Sequence, residues 1–250
     1  MGGTLDLSWD GSSIAILTIN HPPANTFDHE MSRRFSAQID ALEKNLDVRC
    51  LIVTGAGERV FCAGEDIKTD AITPEDLDML TALLDQVEAA RMPVIAAING
   101  FCAGGGMELA MCCDIRMAST NASFICAGVN VGAIGGTYRL PRIVGAGAAK
   151  EMQFTGERHD VRIAEKYGLV TSVHAPDQLM SDALKLARRI AGRAPLSVEA
   201  AKRQINLAHL TPAEIEPLFD KELKALILTE DHREALASFG EKREPDFRRC

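Results

Sequence analysis

The sequence predicts an α/β chain from three observations. Short, nearly uninterrupted apolar runs such as Cys50–Thr54 and Val94–Ile98 read as strands buried on both faces. Stretches with apolar residues at helical spacing lie between them, the alternation that places helices on a largely parallel sheet. Beyond about Ala175 the strand signals stop and only helical periodicity remains. With 250 residues and 46% apolar composition, the chain can bury a full core.

The elements follow in order. Leu5–Trp9 and Ile14–Ile19 flank Asp10-Gly11, a hairpin signal. Asp28 is placed to cap a helix with the stripe Met31, Phe35, Ile39, Leu42 and Leu46. Cys50–Thr54 is the next strand. Thr73-Pro74-Glu75-Asp76 then sets a capping residue, a first-turn proline and an acidic third position ahead of Leu77, Leu80, Leu84 and Val87. The strand Val94–Ile98 ends in Asn99-Gly100, and Gly104-Gly105-Gly106 open a helical run toward Asp114. Asp114–Ala118 and Leu169–Val173 read as further strands. The last third carries one stripe of Leu179, Ala183, Leu186 and Ile190 and another of Val198, Ala201, Ile205 and Ala208. A capping box at Thr211–Glu214 precedes Ile215, Phe219, Leu223 and Leu226. With no strand left to cover them, these helices have to pack on the core or on another subunit.

Several function classes drop out. A net charge of −8 opposes a nucleic-acid surface, which needs a basic face. No apolar run approaches the ~20 residues that span a bilayer, and Met1–Leu7 lacks the basic and apolar regions of a secretion signal. Seven cysteines show neither a C-x-x-C pair nor zinc-ligand spacing, so they read as reduced thiols of a cytoplasmic protein without a metal. Gly55-Ala56-Gly57 lacks the third glycine and the helix start of a dinucleotide fingerprint.

Chemistry concentrates at Asn99–Asp114. Three adjacent glycines cost chain entropy, so that spot needs bare backbone. One reading is a helix N-terminus whose free N–H groups face a developing negative charge, with Glu108 one turn further in. The other is close helix packing, with Glu108 solvated. A second stretch, Phe61-Cys62-Ala63-Gly64-Glu65-Asp66-Ile67-Lys68, follows the strand Cys50–Thr54 and a glycine turn. F-x-A-G-x-D-I-K here, N-G-x-x-x-G-G-G-x-E-L at Asn99–Leu109, T-Y-R-L-P at Thr137–Pro141, Gly156 with Ala164–Val170, and Pro195 occur in the order of the crotonase (enoyl-CoA hydratase/isomerase) superfamily, which the chain resembles over nearly its whole length.

The resemblance implies a spiral of ββα units over residues 1–194 and a C-terminal helical region, 195–250, that builds a trimer or a hexamer of two trimers. It implies a CoA thioester whose carbonyl oxygen sits between the backbone N–H groups of Glu65 and Gly105. Ala63, Glu65, Asp66, Ile67 and Lys68 would wrap the CoA, which belongs to the substrate, so no separate cofactor is expected. Because the chain is acidic overall, the CoA phosphates would need a local basic patch. Glu108 matches the first of two glutamates that hydratases use on water. The second normally follows proline in a P-E pair; here Ala127-Gly128 stands there, and the loop to Gly135-Gly136-Thr137 is about three residues shorter. Isomerisation or decarboxylation fits one glutamate better than hydration does, and a non-catalytic CoA-binding scaffold is the alternative of another class. The Glu65 side chain has two readings: a solvated bystander to its own N–H, or a second carboxylate beside Glu108. Asp114 reads as structural, Asn130 as a pocket residue or a loop side chain satisfying backbone.

Overall fold

The computed structural model describes residues 3–65 and 73–250. Its first unit is the antiparallel hairpin β1 (Thr4–Asp10) and β2 (Ile14–Asn20), followed by helix α1 (His29–Lys44). Two units then share one plan: β3 (Cys50–Gly55), β4 (Val60–Cys62) and α2 (Pro74–Ala89), then β5 (Val94–Ile98), β6 (Phe101–Ala103) and α3 (Gly105–Cys112). The fourth unit places β7 (Ile115–Ser119) and β8 (Ser123–Ile125) ahead of a 3₁₀ turn, Ala127–Val131, and α4 (Leu140–Thr155). In each unit after the first, the first strand joins a six-stranded sheet and the second a four-stranded sheet. Strands β9 (His159–Asp160) and β10 (Ser172–His174), with α5 (Val161–Lys166) between them, complete the orders β1-β2-β3-β5-β7-β10 and β4-β6-β8-β9. This is the ββα spiral that the family resemblance implied.

Alternation within the buried strands divides the core. Leu51, Val53, Val94, Ala96 and Ile98 face the inner core with Phe35, Leu83, Leu84 and Phe124. Their neighbours Ile52, Ile95 and Ala97 face α6 (Leu179–Ala191), which lays Leu179, Ala183, Ala187 and Ala191 on the outer side of the large sheet. The first of the C-terminal helices therefore covers the sheet. Helices α7 (Pro195–Asn206), α8 (Pro212–Leu226) and α9 (Glu230–Glu241) follow it, and no residue of α8 is fully buried.

Most capping expectations hold. Asp28 accepts the Met31 N–H at 2.7 Å, and Thr73 and Asp76 form a reciprocal capping box. Leu46 lies past the end of α1 and is exposed, and on α2 Leu83 is buried while Leu77 is half exposed. Leu169 and Val170 are buried but precede β10, which begins at Ser172. The strands of the small sheet are two or three residues long, too short to carry a periodic signal, and sequence reasoning passed over them.

Candidate active site

The β3–β4 and β5–β6 turns meet just ahead of the short strands β4 and β6 that lead into the site. Asn99 brackets them: its side-chain amide donates to Gly55 O at 2.9 Å and Gly57 O at 2.7 Å, while its oxygen accepts the Gly55 N–H at 3.1 Å. The Asn-Gly signal thus fixes the β5–β6 turn against the β3–β4 turn. Downstream, Gly64 presses on the first turn of α3, and a Cβ placed on it would stand 2.7 Å from Gly105 N. Gly104 has φ +51 and ψ −129, a backbone region that side chains do not tolerate. Behind it, a Cβ at Gly106 would fall 2.2 Å from Cys62 O. The close-packing reading is met at Gly106, which packs against β4, and Gly104 turns the chain into the helix.

Gly105 serves a different purpose. A Cβ there would meet the Glu65 carboxylate, with Oε1 at 2.9 Å, Oε2 at 3.1 Å and Cδ at 3.2 Å. The Glu65 side chain thus folds over the N-terminal end of α3. Its backbone is anchored by a parallel bridge to Phe27, with the Phe27 N–H donating to Gly64 O at 2.8 Å. Ala63 is held the same way, its N–H donating to Ala24 O at 3.1 Å. Asp66, Ile67 and Lys68 lie outside the described residues.

Glu108 is half-buried one turn into α3. Burial raises its carboxyl above the ordinary value, and the negative charge of Glu65 raises it further; Arg139 and a hydrogen bond from the Gly136 N–H act the other way. The short loop after the 3₁₀ turn lies directly on this carboxylate. A Cβ at Gly135 would stand 2.2 Å from Glu108 Oε1. Gln153 on α4 holds that loop by donating to Gly135 O at 2.7 Å, and Asn130 donates to Gly156 O at 2.8 Å. Asn130 therefore satisfies backbone, the second of its two readings. No motif marks Gln153, because its role comes only from α4 folding back under the loop.

The position of the missing glutamate is closed. A Cβ on Gly128 would lie 2.9 Å from Ala133 O and 3.1 Å from Ile134 Cα. The shortened loop has folded onto the space where a side chain at that position would begin.

Other groups are structural. Asp114 accepts the Val94 N–H at 2.7 Å and pairs with buried Lys202 at 2.9 Å, as its structural reading required. His174 bridges Ser172 (Nε2 to Oγ, 2.8 Å) and Asp182 (Nδ1 to Oδ2, 2.8 Å), tying β10 to α6. The seven cysteines are free, and burial pushes the Cys62 and Cys113 thiols up to about 12. A cavity of about 810 Å³ opens at the far end of α3 among Cys112, Asp114, Arg139, Ile143, Lys202 and Ile205. Glu65 and Glu108 do not line it, and Arg139 there is paired with Asp85 and Glu88. Among the described residues no helix is long and apolar enough to cross a membrane.

Comparison with known proteins places this arrangement. The family profile described as enoyl-CoA hydratase/isomerase matches residues 10–249. The chain is 38% identical to (E)-benzylidenesuccinyl-CoA hydratase of Thauera aromatica, over 98% of each chain. It is 37% identical to short-chain-enoyl-CoA hydratase of Clostridium acetobutylicum, over 92% of each. Among solved structures, an enoyl-CoA hydratase from Bacillus anthracis superposes with a TM-score of 0.95 at 32% identity, covering 98% of this chain and 99% of that one.

Proposed function

This chain belongs to the enoyl-CoA hydratase/isomerase family, and we propose that it acts on the acyl group of a CoA thioester through an enolate. The thioester oxygen lies between the backbone N–H groups of Glu65 and Gly105, and Glu108 is the acid/base. The observation that supports this most directly is the junction at Gly64, where an added Cβ would stand 2.7 Å from Gly105 N, so the two donor segments lie side by side with Glu108 one turn away. Backbone donors suit the task because they are neutral, rigid and already aimed before charge develops. They need no reorganisation as the carbonyl becomes an enolate.

Ala63 belongs to the segment that wraps the CoA, and the roles of Asp66, Ile67 and Lys68 rest on the family motif. Hydration of a short 2-enoyl thioester or migration of its double bond is the reaction class, supported by relatives named as hydratases. Decarboxylation and a scaffold role are not favoured by those relatives. The reading also includes assembly into trimers or hexamers through the region 195–250, supported by apolar side chains exposed on α8 and α9.

The test is turnover of crotonyl-CoA and a 3-enoyl-CoA, followed by loss of the enoyl thioester absorbance or its appearance. Wild type turns over at least one of them and Glu108→Gln loses that activity. Equal inertness of both proteins on both thioesters, with acetyl-CoA still bound, establishes the scaffold instead.

A further inference from the structure

Two observations concern carboxylates, and they are complementary. The place where relatives carry a second glutamate is filled by backbone, since any side chain on Gly128 would start within 2.9 Å of Ala133 O. Meanwhile a carboxylate stands where none is required by the backbone donors: Glu65 lays both oxygens over Gly105, within about 3 Å of where a Cβ there would be. Its starting point is fixed by the Phe27 bridge, so it cannot leave the cleft without a rotamer change. Its charge also reaches Glu108.

Resting on the function proposed above, we propose that the Glu65 side chain is the second acid/base group of this site, handling the proton on the thioester α-carbon while Glu108 acts at the next carbon out. The division follows from position. The thioester oxygen sits at the Glu65 and Gly105 N–H groups, so the carboxylate covering Gly105 is nearest the carbonyl carbon and its α-neighbour. Glu108, a turn deeper into α3, reaches the β-carbon.

For hydration the step balances within the pair. Glu108 takes a proton from water as the water oxygen bonds to the β-carbon. The π electrons of the double bond move through the α-carbon to the thioester oxygen, giving an enolate held by the two N–H groups. The enolate then returns its electrons to the α-carbon, which takes a proton from the Glu65 carboxyl. Glu108 has gained one proton and Glu65 has lost one. The two carboxyls keep one proton between them, and exchange with solvent redistributes it before the next turnover.

The experiment follows exchange of the α-protons of butyryl-CoA in D₂O by NMR, alongside crotonyl-CoA hydration and acetyl-CoA binding. Wild type is compared with Glu65→Gln, Glu65→Ala, Glu65→Asp and Glu108→Gln. The Glu65 variants keep the backbone N–H, so acetyl-CoA affinity should stay within a few-fold. Their α-proton exchange should fall by about 10²–10⁴-fold, the usual contribution of a positioned acid or base, with partial rescue in Glu65→Asp. Adding Gly128→Glu to Glu65→Gln should restore nothing, because the loop backbone occupies that space. Exchange in Glu65→Gln as fast as in wild type overturns the proposal and leaves Glu65 a backbone donor. So does wild type that hydrates crotonyl-CoA without exchanging α-protons, or rescue by Gly128→Glu. The function proposed above fails by a different outcome: wild type as inert as Glu108→Gln in both hydration and exchange.

Discussion

Glu108 sits where four influences act on one carboxyl. Burial and the neighbouring Glu65 charge favour its neutral form, while Arg139 and the Gly136 N–H favour the ionised one. Among the described residues, the thiols of Cys126, pushed up to about 11 by burial, and Cys112, raised above that, also face it; both stay neutral around pH 7. If Glu108 works ionised, activity falls as pH drops through its raised pKa, so the acid limb of kcat/KM lies above the ordinary carboxylate range. A pH profile of the wild-type protein checks the sign. Glu108→Gln should lower kcat by about 10²–10⁴-fold with acetyl-CoA affinity nearly unchanged. Glu65, Gly105 and Glu108 were all legible as residues because each occupies a place in a motif. Gln153 and Gly135 were not, since what they do depends on α4 lying under the loop and a glycine far along the chain meeting Glu108.

At the scale of elements, the N-terminus of α3 depends on Gly104. Its φ of +51 with ψ of −129 excludes a Cβ without strain, which at functional turns amounts to about 1–3 kcal/mol. Gly104→Ala should therefore lower stability by about that amount in urea unfolding. It should also reduce kcat/KM, because relaxing the turn moves the Gly105 N–H. A variant with wild-type stability and kcat/KM counts against the role of this turn. Elements with long apolar stripes or chemical caps, such as α1, α2 and β5, were readable from the sequence. The strands of the small sheet were not, although they carry the two turns that make the site. Three residues cannot show alternation, and what defines β4, β6 and β8 is pairing with one another. The kink at Gly145 within α4, with φ +77, was likewise not read, because one glycine in a helical run does not announce a break.

Across the whole molecule, α7 is locked to the core by buried charge. Glu199 accepts from Arg91 at 2.9 Å and from two nitrogens of Arg249, one of them at 2.8 Å, with all three side chains largely buried. Removing the acid takes the counter-charge from two largely buried guanidinium groups, although Arg91 keeps its bonds to the Val48 and Asn45 carbonyls; for buried pairs this costs about 3–5 kcal/mol. Glu199→Ala should thus lower Tm by on the order of 10 °C, given about 2–4 °C per kcal/mol at this size; an unchanged melting curve refutes the lock. What α7 anchors is a pair of helices with their apolar sides in solvent. On α8, Leu218, Phe219 and Leu223 are each more than 40% exposed, as is Ile227 at its C-cap, and on α9 Leu236 and Phe239 are 63% and 87% exposed. Phe219, Leu223 and Ile227 follow one another at four-residue spacing along one side of the helix. A contiguous apolar face of this kind on a soluble monomer is costly to leave in water, and further copies of the same chain are the partner that the proposed assembly supplies. Light scattering at micromolar concentration should give three or six times the 27.0 kDa of one chain. Phe219→Lys should shift the population toward 27.0 kDa while circular dichroism keeps its helical signal, since Phe219 contributes to no buried core. A wild-type monomer under those conditions, or a Phe219→Lys protein that assembles as wild type does, removes this face from the interface.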